Sequence, residues 1–197
     1  GNEKEASSSE NANALPVARQ QETATMTPIE RLAAKADGKQ RELIENQRGI
    51  TYFGLFGPYL AGAKKIVIED AYVRMPYQLR NLAEFLEMLL RCKNPDEDVA
   101  VHLVTGHNES GFVEAQLNGL NELASTFSQL GVNLTYEFRD TLHDRSITAD
   151  TGWEILPGRG LDIFQKFVDG DWLNPLLRHQ QLRRVKECKV TYRRIDG

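Results

Sequence analysis

From residue 65 onward the chain alternates between short apolar runs and longer stretches whose apolar residues recur every third or fourth position. Lys65-Ile66-Val67-Ile68 opens a nearly all-apolar run that suits a strand buried on both faces. Pro76 then starts a helix reaching about Lys93, with Leu79, Leu82, Ala83, Leu86, Leu89 and Leu90 on one face and Asn94-Pro95 as its stop. Val-Ala-Val-His-Leu-Val-Thr over 99–105 reads as a second buried strand, with His102 as a satisfied core histidine. A second helix is expected over 112–130 with Gly131 as its end, and a third strand over 133–138 with Leu134, Tyr136 and Phe138 on one face. This alternation predicts an α/β fold: a three-layer α-β-α sandwich with a mainly parallel mixed sheet, right-handed crossovers and helices on both faces.

The flanks read differently. Residues 1–27 are rich in Ser, Asn, Ala, Glu and Gln and hold too few large apolar side chains to offset ordering, so they read as a disordered linker or tag remnant. Residues 28–48 are expected as a helical lead-in: Thr27 can cap, Pro28 suits the first position, and Ile29, Leu32, Ala33, Ala36, Leu43 and Ile44 form a stripe interrupted at Gly38. Tyr52, Phe53, Leu55, Phe56, Tyr59 and Leu60 make 50–60 an amphipathic stretch for the core. The main domain is placed at 49–197. Within it, 168–177 reads as loop with a short helix anchored by Trp172. The segment after it carries Arg178, Arg183, Arg184, Lys186, Lys189, Arg193 and Arg194 around a late strand with a cationic face.

Composition narrows the function. With 197 residues, of which 41% are hydrophobic, the chain can bury one good core. The net charge of -4 argues against a general nucleic-acid coat. Cys92 and Cys188 form no Cys-x-x-Cys pattern, so no metal, cofactor or disulfide framework is expected and the default setting is cytoplasmic. No apolar run approaches the roughly 20 residues that span a bilayer, which leaves peripheral contact as the only membrane role expected.

The candidate chemistry lies in 142–164. His143, Arg145 and Asp150 stand in the pattern H-x-R-x4-D, followed by the turn Gly158-Arg159-Gly160. A hairpin would put His143 and Arg145 on one face, and with the glycine turn would form a receptacle the size of a phosphate. The same spacing also fits polar hairpin residues facing water. Upstream, Glu69, Asp70, Tyr72, Arg74 and Gln78 fall where the first strand ends, the position where α/β sheets gather ligands, and His107 follows the second strand.

The string His143-Asp144-Arg145, Gly152-Trp153, Gly158-Arg159-Gly160-Leu161-Asp162 and Phe164, together with Ile68-Glu69-Asp70-Ala71-Tyr72-Val73-Arg74, Gln78-Leu79 and Asn81, resembles the phospholipase D-like domain at the C-terminus of MIT-domain proteins. The likeness covers roughly 50–164. It implies one phospholipase D half, with Arg145 replacing the usual Lys and the glycine turn replacing the Ser and Asn of active members. In an enzyme, His143 would be nucleophile or acid, Arg145 the phosphate clamp and Asp150 the orienting carboxylate, with a homodimer needed to bring two motifs together. The resemblance points instead to a non-catalytic module, the C-terminal part of a larger protein. It would bind anionic phospholipid headgroups or another phosphate ligand through Glu69, Asp70, Tyr72, Arg74, Gln78, His107, His143, Arg145 and Arg159. The alternatives are a dimeric phosphodiesterase or nuclease using His143, and a targeting or interaction domain of an ATPase or protease with a protein partner reached through its N-terminal part. The basic tail gives nucleic acid a secondary place among the partners.

Overall fold

The structure, a computed structural model, describes residues 25–166 and 173–195. Residues 1–24 of the linker expected over 1–27, and the Trp172 anchor, lie outside them.

Seven strands form one sheet, flanked by helices. In chain order the elements are α1 (Pro28–Ala33), β1 (Arg41–Leu43), α2 (Tyr52–Leu60), β2 (Lys65–Glu69), α3 (Pro76–Cys92), β3 (Val99–Thr105), α4 (Val113–Ser128), β4 (Val132–Phe138), β5 (Ser146–Ala149), β6 (Trp153–Pro157), α5 (Pro175–Arg178) and β7 (Cys188–Arg194). A 3-10 turn, Gln180–Leu182, precedes β7. The strand order is β1-β7-β6-β5-β2-β3-β4.

The expected parallel sheet is present only in β2-β3-β4. The pairings β2-β5, β5-β6, β6-β7 and β1-β7 are antiparallel, so the sheet is mixed and mostly antiparallel. The connections explain the split. α3 and α4 carry the chain back between parallel neighbours, whereas Asp150–Gly152 leaves room only for a tight reversal between β5 and β6.

The expectation of helices on both faces is not met by the described elements. Right-handed crossovers that step steadily from β2 to β3 to β4 put α3 and α4 on the same side. One set of alternating strand residues, Ile66, Ile68, Val101, Leu103, Leu134, Ile147, Ile155 and Tyr192, is buried in a core shared with Leu55, Phe56, Leu82, Phe85, Leu86 and Leu120 of the helices. The other set faces outward: Lys65, Ala100, Asn133, Thr135 and Glu137 are exposed and Val67 is 39% exposed. β2 is therefore buried on one face, not two, and so is β3 except at Val104, which clusters with Ala71 and Leu142 at the strand end. His102 lies on the open face, where Nδ1 is 2.8 Å from Thr135 Oγ1 and Nε2 is 3.5 Å from Glu137; it is satisfied, but not in the core. The cationic face of β7 is there too, with Arg193 paired to Glu154 and Lys189 3.6 Å from Glu42.

The helical lead-in is a second correction. A capping box between Thr27 and Glu30 starts α1, but the helix ends at Ala33 and Arg41–Leu43 form an edge strand on β7. Between them Gly38 turns the backbone to φ +69°, and its N–H donates to the Tyr59 hydroxyl at 3.1 Å. α2 carries the expected aromatic packing: Tyr52 stacks on Phe56 with centroids 5.5 Å apart and meets Phe164 at the same distance. Farther round, Glu84 of α3 accepts from Arg183 at 3.0 Å and from Gln180 at 2.8 Å, which ties the C-terminal segment to the helical layer.

Candidate functional site

The carboxyl ends of β2, β3 and β4 and the start of β5 lie at one end of the sheet, because β5 runs antiparallel to β2 with Ser146 opposite Glu69. Most of the residues expected at a site come together at this end.

Asp70 is the inner member. Its carboxylate is 4% exposed; Oδ1 accepts the Tyr72 N–H at 3.0 Å and Oδ2 accepts the Leu161 N–H at 3.2 Å. Arg145 Nε approaches Oδ1 at 3.9 Å. Burial pushes the carboxyl above the usual carboxylate range, against the opposing pull of the two N–H groups and Arg145. The glycine turn wraps this carboxylate: Gly160, at φ +59°, has Asp70 Oδ2 directly beside it. The receptacle expected for phosphate is therefore filled by an internal anion. The gap bounded by Glu69, Asp70, Ser146, Pro157 and Gly160 is too small to hold a water molecule.

Tyr72 is the outer member, and two guanidinium groups lie against its ring. The Arg145 carbon Cζ is 4.7 Å from the ring centroid and that of Arg74 is 5.2 Å away. Arg74 is held by its Nε, which donates to the Ala71 carbonyl at 2.6 Å. Its guanidinium lies against Gly106, where a Cβ would stand 2.4 Å from Nη2. Gln78, buried at the start of α3, accepts the N–H groups of Arg74 and Met75 at 3.0 and 2.9 Å and so fixes the turn into the helix. Glu69 sits on the open face, 3.7 Å from Arg139.

His107 stacks on Phe138 with centroids 4.1 Å apart, and its N–H and Nδ1 contact Asp140 at 2.8 and 3.0 Å. The His107 N–H, followed by its ring, holds the Asp140 carboxyl below its ordinary range. His143 is exposed at the same end, and among the described residues no hydrogen bond or ion pair orients it.

Two expected members lie elsewhere. Asp150 is at the far end of β5; its N–H donates to the Lys65 carbonyl at 3.1 Å and its Oδ1 accepts from the Lys64 N–H at 3.0 Å. The H-x-R-x4-D string therefore does not assemble as a triad within one chain. Arg159 turns away from Arg74 and Arg145, its Nε donating to the Glu187 carbonyl at 3.0 Å.

Gln116 is the structural partner that the sequence reading passed over. Its Nε2 donates to the carbonyls of Val73 and Gly106, both at 2.9 Å, and its Oε1 accepts the Asn108 N–H at 2.8 Å. It locks the loop after β2 to the loop after β3. Its position in phase with Leu120 and Phe127 on the buried face of α4 was the available signal.

Among the described residues no group of three or more His, Cys, Asp or Glu side chains is arranged to hold a metal ion, and no described helix is long and apolar enough to cross a membrane. Residues 49–194 match the family described as the phospholipase D-like domain at the C-terminus of MIT. The chain is 38% identical over 136 residues to MIT domain-containing protein 1 of Mus musculus, an overlap of 67% of this chain and 54% of the mouse protein. The chain thus spans about half the length of that curated relative.

Proposed function

The chain belongs to the family of phospholipase D-like domains at the C-terminus of MIT proteins, and from that premise we propose that it binds the phosphate groups of anionic phospholipid headgroups without hydrolysing them. The observation that carries this reading is the Arg145–Tyr72–Arg74 stack at the strand ends, two guanidinium groups held on a half-exposed ring. A guanidinium presents a planar fork that matches phosphate oxygens, and the contacts of Arg74 with the Ala71 carbonyl and of Arg145 with Asp70 fix where the two forks stand.

Three features support binding over hydrolysis. Asp150 stands at the opposite end of β5 from His143, so it does not orient the imidazole within one chain. The glycine turn encloses the Asp70 carboxylate in place of a substrate. His143 lacks an orienting partner among the described residues, whereas general acid or nucleophilic work requires one. Docking is peripheral and cytoplasmic in this reading. It gains in strength if two copies present their stacks side by side, since paired weak sites bind a surface more tightly than either alone.

Flotation with phosphatidylcholine vesicles, with and without phosphatidylserine, tests it. The protein is expected to rise only with the anionic vesicles, and an Arg74→Gln/Arg145→Gln variant to stay behind. Equal recovery on both vesicle types, or recovery untouched by the double substitution, overturns the proposal.

A further inference from the structure

We propose that the strand-end face enters the bilayer interface, with Tyr72, Met75 and Phe112 seated at the boundary between headgroups and acyl chains beside Arg74 and Arg145. This rests on the phosphate-binding reading and specifies how that site meets a membrane.

The three apolar side chains are 48%, 40% and 58% exposed, although a large core was available to them. Single exposed apolar residues are ordinary on a protein surface; these three are carried by the two joined loops that follow β2 and β3, the first of which also carries Arg74. They also sit on a rigid base. Met75 follows β2 and Phe112 follows β3, and Asn108 joins the two loops, its Nδ2 donating to the Arg74 carbonyl at 3.2 Å and lying 3.8 Å from Met75 Sδ. Gln116 fastens the same loops from beneath. The side chains are thus presented by fixed backbone.

Charge decides the occupant. Glu109, Asp140 and Asp144 share this end of the molecule with the two arginines, so attraction to anionic lipid is partly offset. A purely electrostatic contact would be weak here, and a purely apolar contact would make no use of the N–H groups that Arg74 and Arg145 have left after their contacts with Ala71 and Asp70. A tyrosine, a methionine and a phenylalanine around two arginines match the bilayer interface, where apolar groups go inward and cations meet phosphates at the same depth.

The test compares the whole chain with Met75→Ser/Phe112→Ser and with Arg74→Gln/Arg145→Gln, using phosphatidylserine-containing vesicles at low and high salt and soluble inositol hexakisphosphate. The serine variant replaces exposed side chains only, and its circular dichroism should match the parent. Insertion predicts that the serine variant loses about tenfold in vesicle affinity at both salt concentrations while inositol phosphate binding is kept. It predicts that the arginine variant loses both. Vesicle affinity unchanged in the serine variant overturns insertion and leaves phosphate binding standing. Failure of the parent chain to bind either vesicles or inositol phosphate overturns both. Self-association in sedimentation that the serine variant abolishes, without vesicle binding, makes the face a protein contact and overturns insertion.

Discussion

The Asp70 carboxylate occupies the space that any side chain at Gly160 would need: a Cβ at position 160 would stand 2.0 Å from Oδ2. The carboxylate cannot retreat, because the Tyr72 and Leu161 N–H groups hold both of its oxygens. Gly160→Ala combines this clash with a left-handed backbone at φ +59° and should cost on the order of 3 kcal/mol. Urea denaturation reads the loss; an alanine variant as stable as the parent would mean that the turn is free to move.

Asp70 also sets a pH dependence. Its carboxyl is raised in the folded state, chiefly by burial, so between the ordinary value of 3.8 and the folded one the native state binds more protons than the unfolded chain. Its contribution to stability is greatest below the unfolded pKa and is lost as pH rises through the folded pKa. Asp70→Asn should flatten that part of the stability profile. It should also lower stability by about 1–3 kcal/mol near neutrality, because an amide NH2 would face the Leu161 N–H and Arg145 would lose its carboxylate. Denaturation curves across acidic pH compare the slopes, and parallel profiles for parent and variant refute the assignment.

Gln116→Leu removes two donors and one acceptor from the buried junction of the strand-end loops. The cost expected is about 2–3 kcal/mol, since the Val73 and Gly106 carbonyls and the Asn108 N–H lose their partner. The loops should open ahead of the core, so hydrogen exchange at Val73 and Asn108 should rise more than at Leu103. Uniform acceleration across the domain would instead point to global destabilisation alone.

The central strands and α3 were legible because period and length agree there: Ile66 and Ile68 flank one outward residue, and the leucines of α3 repeat through four turns. The apolar run at β2 reads as buried on both faces only because Val67 is apolar; nothing in its neighbours says that it looks outward. β1 escaped notice since three residues, Arg41, Glu42 and Leu43, carry a single buried side chain and no alternation to detect. Strand order was unavailable to a linear reading, and with it the gathering of the described helices on one side of the sheet. The parting of Asp150 from His143 was legible in principle. An extended strand advances about 3.3 Å per residue, so the intervening Ser146–Ala149 alone separates them by about 13 Å. The pattern match drew attention to the residue types and away from the strand between them.

The antiparallel pairing of β1 with β7 joins the earliest described strand to the last. The family match begins at residue 49, after β1. A domain trimmed to that boundary would keep every residue of the strand-end stack and lose the border of its sheet. The outer backbone groups of β7 at Cys188 to Val190 would then be open to pairing with another molecule's strand, an edge that Arg41–Leu43 covers without contributing to the site.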